Sequence, residues 1–440
     1  MAPLPAREFK DRRRRLMKAM KKNSIAIIAS APTAVRNRDV EYPFRQHSDF
    51  HYLTGFHEPE AVAVLIPGRK EGPFLLFCRP FDPEKAIWTG RHAGLEGAMD
   101  DHGADAAFPI DSLETELPQL LRHCDQVYFP IGQDAALDEA VFGAVRTLRH
   151  EARSGTVPPG TFTDIEPLIH EQRLIKSPQE IKIMRKAAAV SVLGHLRAMR
   201  STRPGLHEYD IEAELAHEFA RNGMRNLAYP SIVAGGENAC VLHYTENDQK
   251  LKDGDLLLID AGAEYQNYAS DITRTFPING QFSPAQRQLY DVVLDAQLAA
   301  IDTIRPGTPW NAPHDAAVRV LTQGLVRLGL LKGKPSSLIR SEAYRKFYMH
   351  RTGHWLGMDV HDVGAYRVNG AWRPLEAGMV LTVEPGLYVA PGCPDVDPAF
   401  HGIGIRIEDD VLVTSEGYEV LTRDLPKHAQ DIENLMAAFR

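Results

Sequence analysis

GDLLLIDAGAEYQNYASDITRTF, residues 254–276, places two runs rich in β-branched and aliphatic residues on either side of a short polar segment, the pattern of a β-hairpin. Each run carries an aspartate among apolar or small neighbours, Asp260 in the first and Asp271 in the second. With the turn centred between Tyr265 and Gln266, the two aspartates are equidistant from it and directly opposed, with Cβ atoms about 5 Å apart. Carboxylates so placed repel unless one is protonated or a cation lies between them. A pair of divalent metal ions is the simplest cation to suit such a site; the plainer alternative is two solvated acids flanking a turn. Acids and histidines elsewhere in the chain decide between the two.

The chain has 440 residues, 44% of them apolar and 25% charged, which is the composition of a globular protein long enough for two or more domains. A formal net charge of -8 supplies no general attraction to nucleic acid or to a membrane surface, so neither is expected as a partner. Cys78, Cys124, Cys240 and Cys393 lie far apart without a CxxC pair, which suggests neither a disulfide scaffold nor a zinc ribbon. No apolar run reaches the ~18 residues of a membrane span, and no secretion signal opens the chain. A cytoplasmic, reducing location is expected. The basic run Arg12–Arg15, with Lys18, Lys21 and Lys22, is interleaved with Phe9, Leu16, Met17 and Met20 at helical spacing; it reads as the solvated face of a first helix.

Short apolar runs at 25–30, 61–66, 73–78 and 126–130 alternate with helical patterns such as LETELPQLLRHC, so the N-terminal domain is expected to be α/β. It shows neither GxxxxGK nor GxGxxG, and a nucleotide site is not indicated. SGTVPPG, residues 154–160, reads as a loop near the domain boundary, and the domains are set at 1–174 and 175–440. In the second, Ser177 and Glu180 form a capping box around Pro178 at the start of a long helix, and another helix covers 208–221. Strands then helices follow, with helices near 284–304 and 313–328, and MVLTVEPGLYV (379–389) and GIGIRIEDDVLVT (402–414) return to strands. The order is α+β.

In GIGIRIEDDVLVT, strand alternation sets Ile403, Ile405 and Ile407 on one face and Arg406, Glu408 and Asp410 on the other. Glu384 interrupts an apolar strand just before Pro385 and Gly386, where pairing must end and a side chain can face a cavity. Together with Asp260 and Asp271 this makes four such acids on separate strands of one domain. His350, His354 and His361 fall within HRTGHWLGMDVHDVG, and His243 in CVLHYTEND. Thr352-Gly353 between the first two argues for a loop rather than a helical ligand pair. Four carboxylates and one imidazole balance two divalent cations, and oxygen-rich ligation favours Mn²⁺ over the thiolate setting that selects Zn²⁺. Such ions activate water and polarise a carbonyl, so hydrolysis follows.

IDAGAEYQNYASDITRTFP, HYTEND, HRTGHWLGMDVHDVG, LTVEPGLYV and GIGIRIEDD resemble, in order and spacing, the metallopeptidases of the pita-bread (creatinase/aminopeptidase-like) fold. EYPFRQHSDFHYLTGFHEPEAV (41–62) and AIWTGRHAG (86–94) resemble the bacterial Xaa-Pro aminopeptidase, or aminopeptidase P, branch. The resemblance implies that an α/β N-terminal domain, serving oligomerisation and substrate access, precedes an α+β pita-bread catalytic domain. It implies Asp260, Asp271, His354, Glu384 and Glu408 as ligands of two divalent metals, with Asp271 and Glu408 bridging. Mn²⁺ is the expected ion, with Zn²⁺ or Co²⁺ as alternatives. Glu384 would take a proton from the metal-bound water, and His243 and His361 would hydrogen-bond the substrate and the developing oxyanion. Tyr229, His350 and Arg406 would line the pocket for the proline ring. Asp39 and Trp88 match positions where a neighbouring subunit reaches into the active site, which makes a homotetramer the expectation. Arg351 departs from the glycine common after the first histidine. The implied activity is release of the N-terminal residue from peptides with proline in second position. A prolidase acting on Xaa-Pro dipeptides, a creatinase-type amidinohydrolase and a non-catalytic binding module on the same fold are the alternatives.

Overall fold

The computed structural model describes residues 4–439. The chain divides into two compact units, 1–173 and 174–440.

The first unit is built on a six-stranded sheet in the spatial order Ala106–Pro109, Phe74–Cys78, Val62–Leu65, Ser24–Ala29, Gln126–Phe129, Thr161–Asp164. All four apolar runs of the sequence are among these strands. The pairing is antiparallel across Ser24–Ala29, Val62–Leu65 and Phe74–Cys78 and parallel elsewhere. Ile25, Ile27, Val64, Leu75, Phe77, Val127 and Phe129 are buried together with the apolar sides of helices Leu113–Leu121 and Ala135–His150. The Ser154–Gly160 loop lies inside this unit, because Thr161–Asp164 rejoins the same sheet beside Gln126–Phe129.

The basic run lies on the expected first helix, Ala6–Ala19, but it is not all solvated: Arg12 and Arg13 are buried. Arg12 donates through Nη1 to Tyr52 O (3.1 Å) and Arg13 to Leu53 O (2.8 Å), carbonyls at the end of helix Ser48–Thr54. Their guanidinium carbons sit 4.0 Å from the ring centroids of Tyr52 and Phe74 respectively. Guanidinium groups satisfy C-terminal helix carbonyls and stack on aromatic faces, so two cations that amphipathic patterning assigns to water serve as buried struts.

Asp49, in the same short helix, is buried and accepts from His170 Nε2 (3.1 Å) and Arg173 Nη1 (2.7 Å). Burial alone would raise its carboxyl, but His170 and Arg173 outweigh burial and bring it down to about 2. A depressed carboxyl contributes stability that is present above its unfolded pKa and lost as pH falls through the folded value. His170, raised by the same contact against the effect of burial, contributes in the opposite sense, below its ordinary pKa. Asp49→Asn should therefore cost on the order of 2 kcal/mol at pH 6, and the difference from wild type should shrink between pH 4 and pH 2. Urea denaturation curves of both proteins across that range test this.

The second unit repeats one order twice. The helix pair Pro178–Ser201 and Glu208–Arg221 is followed by a three-stranded sheet with Leu256–Asp260 between Ile232–Gly235 and Thr273–Pro277. The pair Pro284–Ile301 and Ala312–Arg327 is then followed by a sheet with Asp409–Val413 between Val380–Val383 and Tyr418–Val420, beside the ribbon Gly386–Val389/Ile403–Arg406. The predicted capping box is present: Ser177 Oγ accepts from Glu180 N and Ser177 N donates to Glu180 Oε2. Glu180 also accepts from Tyr268 Oη (2.8 Å), which ties the helix start to the turn of the 254–276 segment. One apolar cluster contributed by both halves fills the interior, from Val190 and Leu257 to Leu381 and Ile405.

Candidate metal centre

The 254–276 segment is a hairpin, with a register different from the one predicted. Asp260 pairs with Thr273, and Tyr265 with Tyr268, so the turn is centred between Gln266 and Asn267, one residue later. Both turn residues have positive φ, 50° and 65°, the backbone that matches the twist of the flanking strands. Asp271 is thus diagonal to Asp260 rather than directly opposed to it, two residues away on the same face. Between them the strands cross closely: a Cβ on Gly262 would stand 1.7 Å from Ser270 O, so only glycine fits. The hydroxyl of Tyr229 closes the gap, lying 2.7 Å from Asp260 Oδ1 and 2.5 Å from Asp271 Oδ1.

Each of the other two acids sits where a ladder lapses. Glu384 falls between Val380–Val383 and Gly386–Val389, its N–H donated to Thr352 O (2.8 Å). GIGIRIEDDVLVT is two strands rather than one, Ile403–Arg406 and Asp409–Val413. The break at Ile407–Glu408 comes where the chain passes from one sheet to the next. Arg406 and Glu408 nonetheless face the same cavity. Arg406 Nη2 donates to Asp260 Oδ2 (2.7 Å), and Thr273 Oγ1 donates to Glu408 Oε2 (2.6 Å).

His354 approaches from the 350–354 loop, which is not helical. Its Nδ1 lies 2.9 Å from Trp355 O; a carbonyl only accepts, so Nδ1 carries the proton and Nε2 faces the acids, 3.4 Å from Asp271 Oδ2 and 3.8 Å from Glu384 Oε1. Ligand atoms of Asp271, His354 and Glu408 all fall within 4.8 Å of one another. His361 stands edge-on to His354 with ring centroids 4.4 Å apart. His243, Tyr229 and His350 line the same cavity, of about 810 Å³. Its lining is drawn from residues 229–408. Asp39 and Trp88 are exposed on the first unit, Trp88 to 88%.

The cluster is short of positive charge. Burial, reinforced by Asp271 and Asp260, raises Glu384 to about 7 against the pull of His354 and Arg406, and Glu408 is driven well above the carboxylate range. Burial would depress His354, but Asp271 and Glu384 raise it to about 9. Tyr229 has one hydroxyl proton against two carboxylate oxygens, so one of those contacts calls for another proton or a cation. Four converging acids, two of them buried and two half-buried, and an imidazole whose tautomer is set by a backbone carbonyl, form a donor set suited to divalent cations.

Residues 182–415 match the model of metallopeptidase family M24, and residues 9–128 match that of the aminopeptidase P N-terminal domain. The chain belongs to metallopeptidase family M24. Within the family it is similar to an Xaa-Pro aminopeptidase of Escherichia coli, 47% identical with all of both chains covered. It is also similar to the mitochondrial intermediate cleaving peptidase 55 of Arabidopsis thaliana, 38% identical over 98% of this chain and 82% of the relative. Among solved structures, the Pseudomonas aeruginosa aminopeptidase PepP superposes with a TM-score of 0.99 at 56% identity, covering 100% of this chain and 99% of that one. Zn-substituted E. coli aminopeptidase P in complex with product superposes at 0.97 with 47% identity and full coverage of both. The fold is thus the aminopeptidase P N-terminal domain followed by the M24 pita-bread domain.

Several residues that support this M24 site were given no role in the sequence reading. Tyr388 accepts from Arg406 Nη1 (3.0 Å) and lies 2.8 Å from His350 Nε2, while His350 Nδ1 is 2.7 Å from Arg351 O. The donors run Arg406 to Tyr388 to His350 to the main chain, and burial holds His350 down to about 3, hence neutral. Because the last acceptor is backbone, the side chain at 351 leaves His350 in place. Asp410 receives Ser270 Oγ and the Asp271 N–H, and the buried pair Lys176–Asp362 (2.9 Å) anchors the residue after His361. Tyr388 lies in the quoted LTVEPGLYV and Asp410 on the polar face with Glu408, but no local pattern marks Lys176.

Proposed function

We propose that this protein removes the N-terminal residue from peptides whose second residue is proline, using two divalent ions held by Asp260, Asp271, His354, Glu384 and Glu408. The observation that carries this reading is the convergence of those five side chains at the base of a cavity of about 810 Å³ in an M24 chain similar throughout its length to Xaa-Pro aminopeptidases. The ions, Mn²⁺ by preference, would supply positive charge that polarises the scissile carbonyl and acidifies the attacking water.

The chain supplies the rest. Glu384 accepts the proton of the attacking water and passes it toward the leaving proline nitrogen. A bond to proline has no N–H, so recognition falls to shape: His350, with both ring nitrogens already bonded, presents a neutral face beside Tyr229, Arg406 and Tyr388. His243 and His361, exposed to the cavity, donate to the substrate carbonyl as negative charge develops on its oxygen.

Hydrolysis of Ala-Pro-Ala beside Ala-Pro by Mn²⁺-loaded enzyme, with chelated enzyme as control, tests the assignment. Preferential metal-dependent cleavage of the tripeptide is expected. Preference for the dipeptide would make the protein a prolidase, and cleavage of neither would overturn the hydrolase reading.

The four free cysteines suit the cytoplasm, where we place the enzyme, and among the described residues no helix is long and apolar enough to cross a membrane. We assign it a homotetrameric state in which Asp39 and Trp88 of one subunit complete the site of another. Supporting this, Trp88 and Ile87 are 88% and 82% exposed, with Val35, Val40 and Tyr42 exposed on and beside the hairpin that carries Asp39. Trp88→Ala should lower kcat/KM on peptides of four or more residues about tenfold while leaving the melting temperature unchanged; wild-type kinetics would count against a composite site.

A further inference from the structure

The cavity is lined at its buried end by Asp260, Asp271, Glu384 and Glu408, and its exposed rim carries the opposite charge. Arg351 and Arg367, both exposed, line the same cavity as Trp372. Their guanidinium carbons lie 5.3 Å and 4.1 Å from the Trp372 ring centroid. Arg351 also donates to Asn311 Oδ1, and Asn311 is turned that way because its Nδ2 donates to Asp315 Oδ1 (2.6 Å). Among the described residues neither guanidinium has a carboxylate partner within 4.0 Å. Two arginines set on one indole ring, one of them also bonded to Asn311, with counter-charge missing, are prepared for an anion brought by a ligand.

A peptide has its anions in known places. Its N-terminal amine is cationic and belongs at the acidic end, where the scissile bond lies; its carboxylates are side chains or the C-terminus. Arg351 directly follows His350 and lines the same cavity on its exposed side, beyond the residue on which the substrate's proline rests. From this geometry we propose that Arg351 and Arg367, mounted on Trp372, form a carboxylate-reading subsite for the residue after proline, making the enzyme selective for an acidic third residue or the C-terminus of a tripeptide. This rests on the aminopeptidase reading above.

The test compares Ala-Pro-Asp-NH₂ with Ala-Pro-Lys-NH₂, amidated so that the side chain is the only variable charge, on Mn²⁺-loaded wild type and on the double variant R351Q/R367Q. Wild type is expected to prefer the aspartyl peptide by on the order of tenfold in kcat/KM, as for two charge-assisted contacts at an exposed site. The preference should reside in KM and shrink at high ionic strength, and the ratio should fall to about one in the double variant. A wild-type ratio within twofold of one, or a ratio unchanged in the variant, would overturn the subsite. So would a finding that the arginines govern Asp-Pro-Ala-NH₂ against Lys-Pro-Ala-NH₂ instead, since the anion would then sit at the released residue. If wild type cleaves none of these peptides, the aminopeptidase assignment itself falls, an outcome distinct from cleavage without preference.

Discussion

Glu384→Gln is expected to lower kcat on Ala-Pro-Ala by about 10³-fold, near 4 kcal/mol of barrier, in protein that folds as wild type does. Glutamine matches glutamate in shape and in oxygen reach, but it cannot take a proton at neutral pH. The position makes the effect specific. Glu384 occupies a gap between two strands, its N–H bonded to Thr352 O, so the backbone holds the side chain in place whatever its head group. Because Glu384 also belongs to the proposed ligand set, metal content must be measured beside the rate. Loss of activity that returns at high Mn²⁺ would reduce Glu384 to a ligand, whereas loss that persists in fully loaded protein is the signature of a base. A kcat within tenfold of wild type in loaded enzyme would remove Glu384 from proton transfer altogether.

Asp409→Ala should cost about 3–5 kcal/mol of stability and lower the melting temperature on the order of 10 °C. Asp409 is wholly buried and accepts four hydrogen bonds of 2.7 Å, from Arg274 Nη2, Thr422 Oγ1, Gln297 Nε2 and Lys427 Nζ. Burial works against its charge, but Arg274 and Lys427 hold the carboxyl below its usual range. Truncation would strand the fully buried Arg274 without a counter-ion, and an unpaired buried charge is far costlier than the pair is worth. Arg274 also donates to Glu408 O (2.5 Å) and Thr273 O (3.0 Å), which carries the damage to a proposed metal ligand. The double variant Arg274→Met/Asp409→Leu should recover much of the loss, since it buries no charge. Urea and thermal denaturation of the set measure this; an Asp409→Ala change below 1 kcal/mol would show that water reaches the cluster.

The amino-acid order alone marked most of the elements and the acids and histidines of the candidate site. Four apolar runs became strands of the N-terminal sheet, and Ser177-Pro178-Glu180 became a capped helix start, because burial periodicity and capping act within a few residues of chain. Asp260, Glu384 and Glu408 interrupt apolar strands, and an acid in such a setting is too costly to leave uncompensated. What only the tertiary structure decided are the relations across long separations. Gln266 and Asn267 both adopt left-handed backbone, which shifted the hairpin by one residue and made Asp260 and Asp271 diagonal neighbours. Arg12 and Arg13 look solvated from their spacing, but each finds a carbonyl 40 residues away and an aromatic face to lie on. The hydroxyl of Tyr229 between two acids, the donor chain through Tyr388, and the meeting of Arg351 and Arg367 on Trp372 all depend on which backbones approach one another. Local propensity and periodicity carry no record of such pairings, since their energy exists only once the chain has closed.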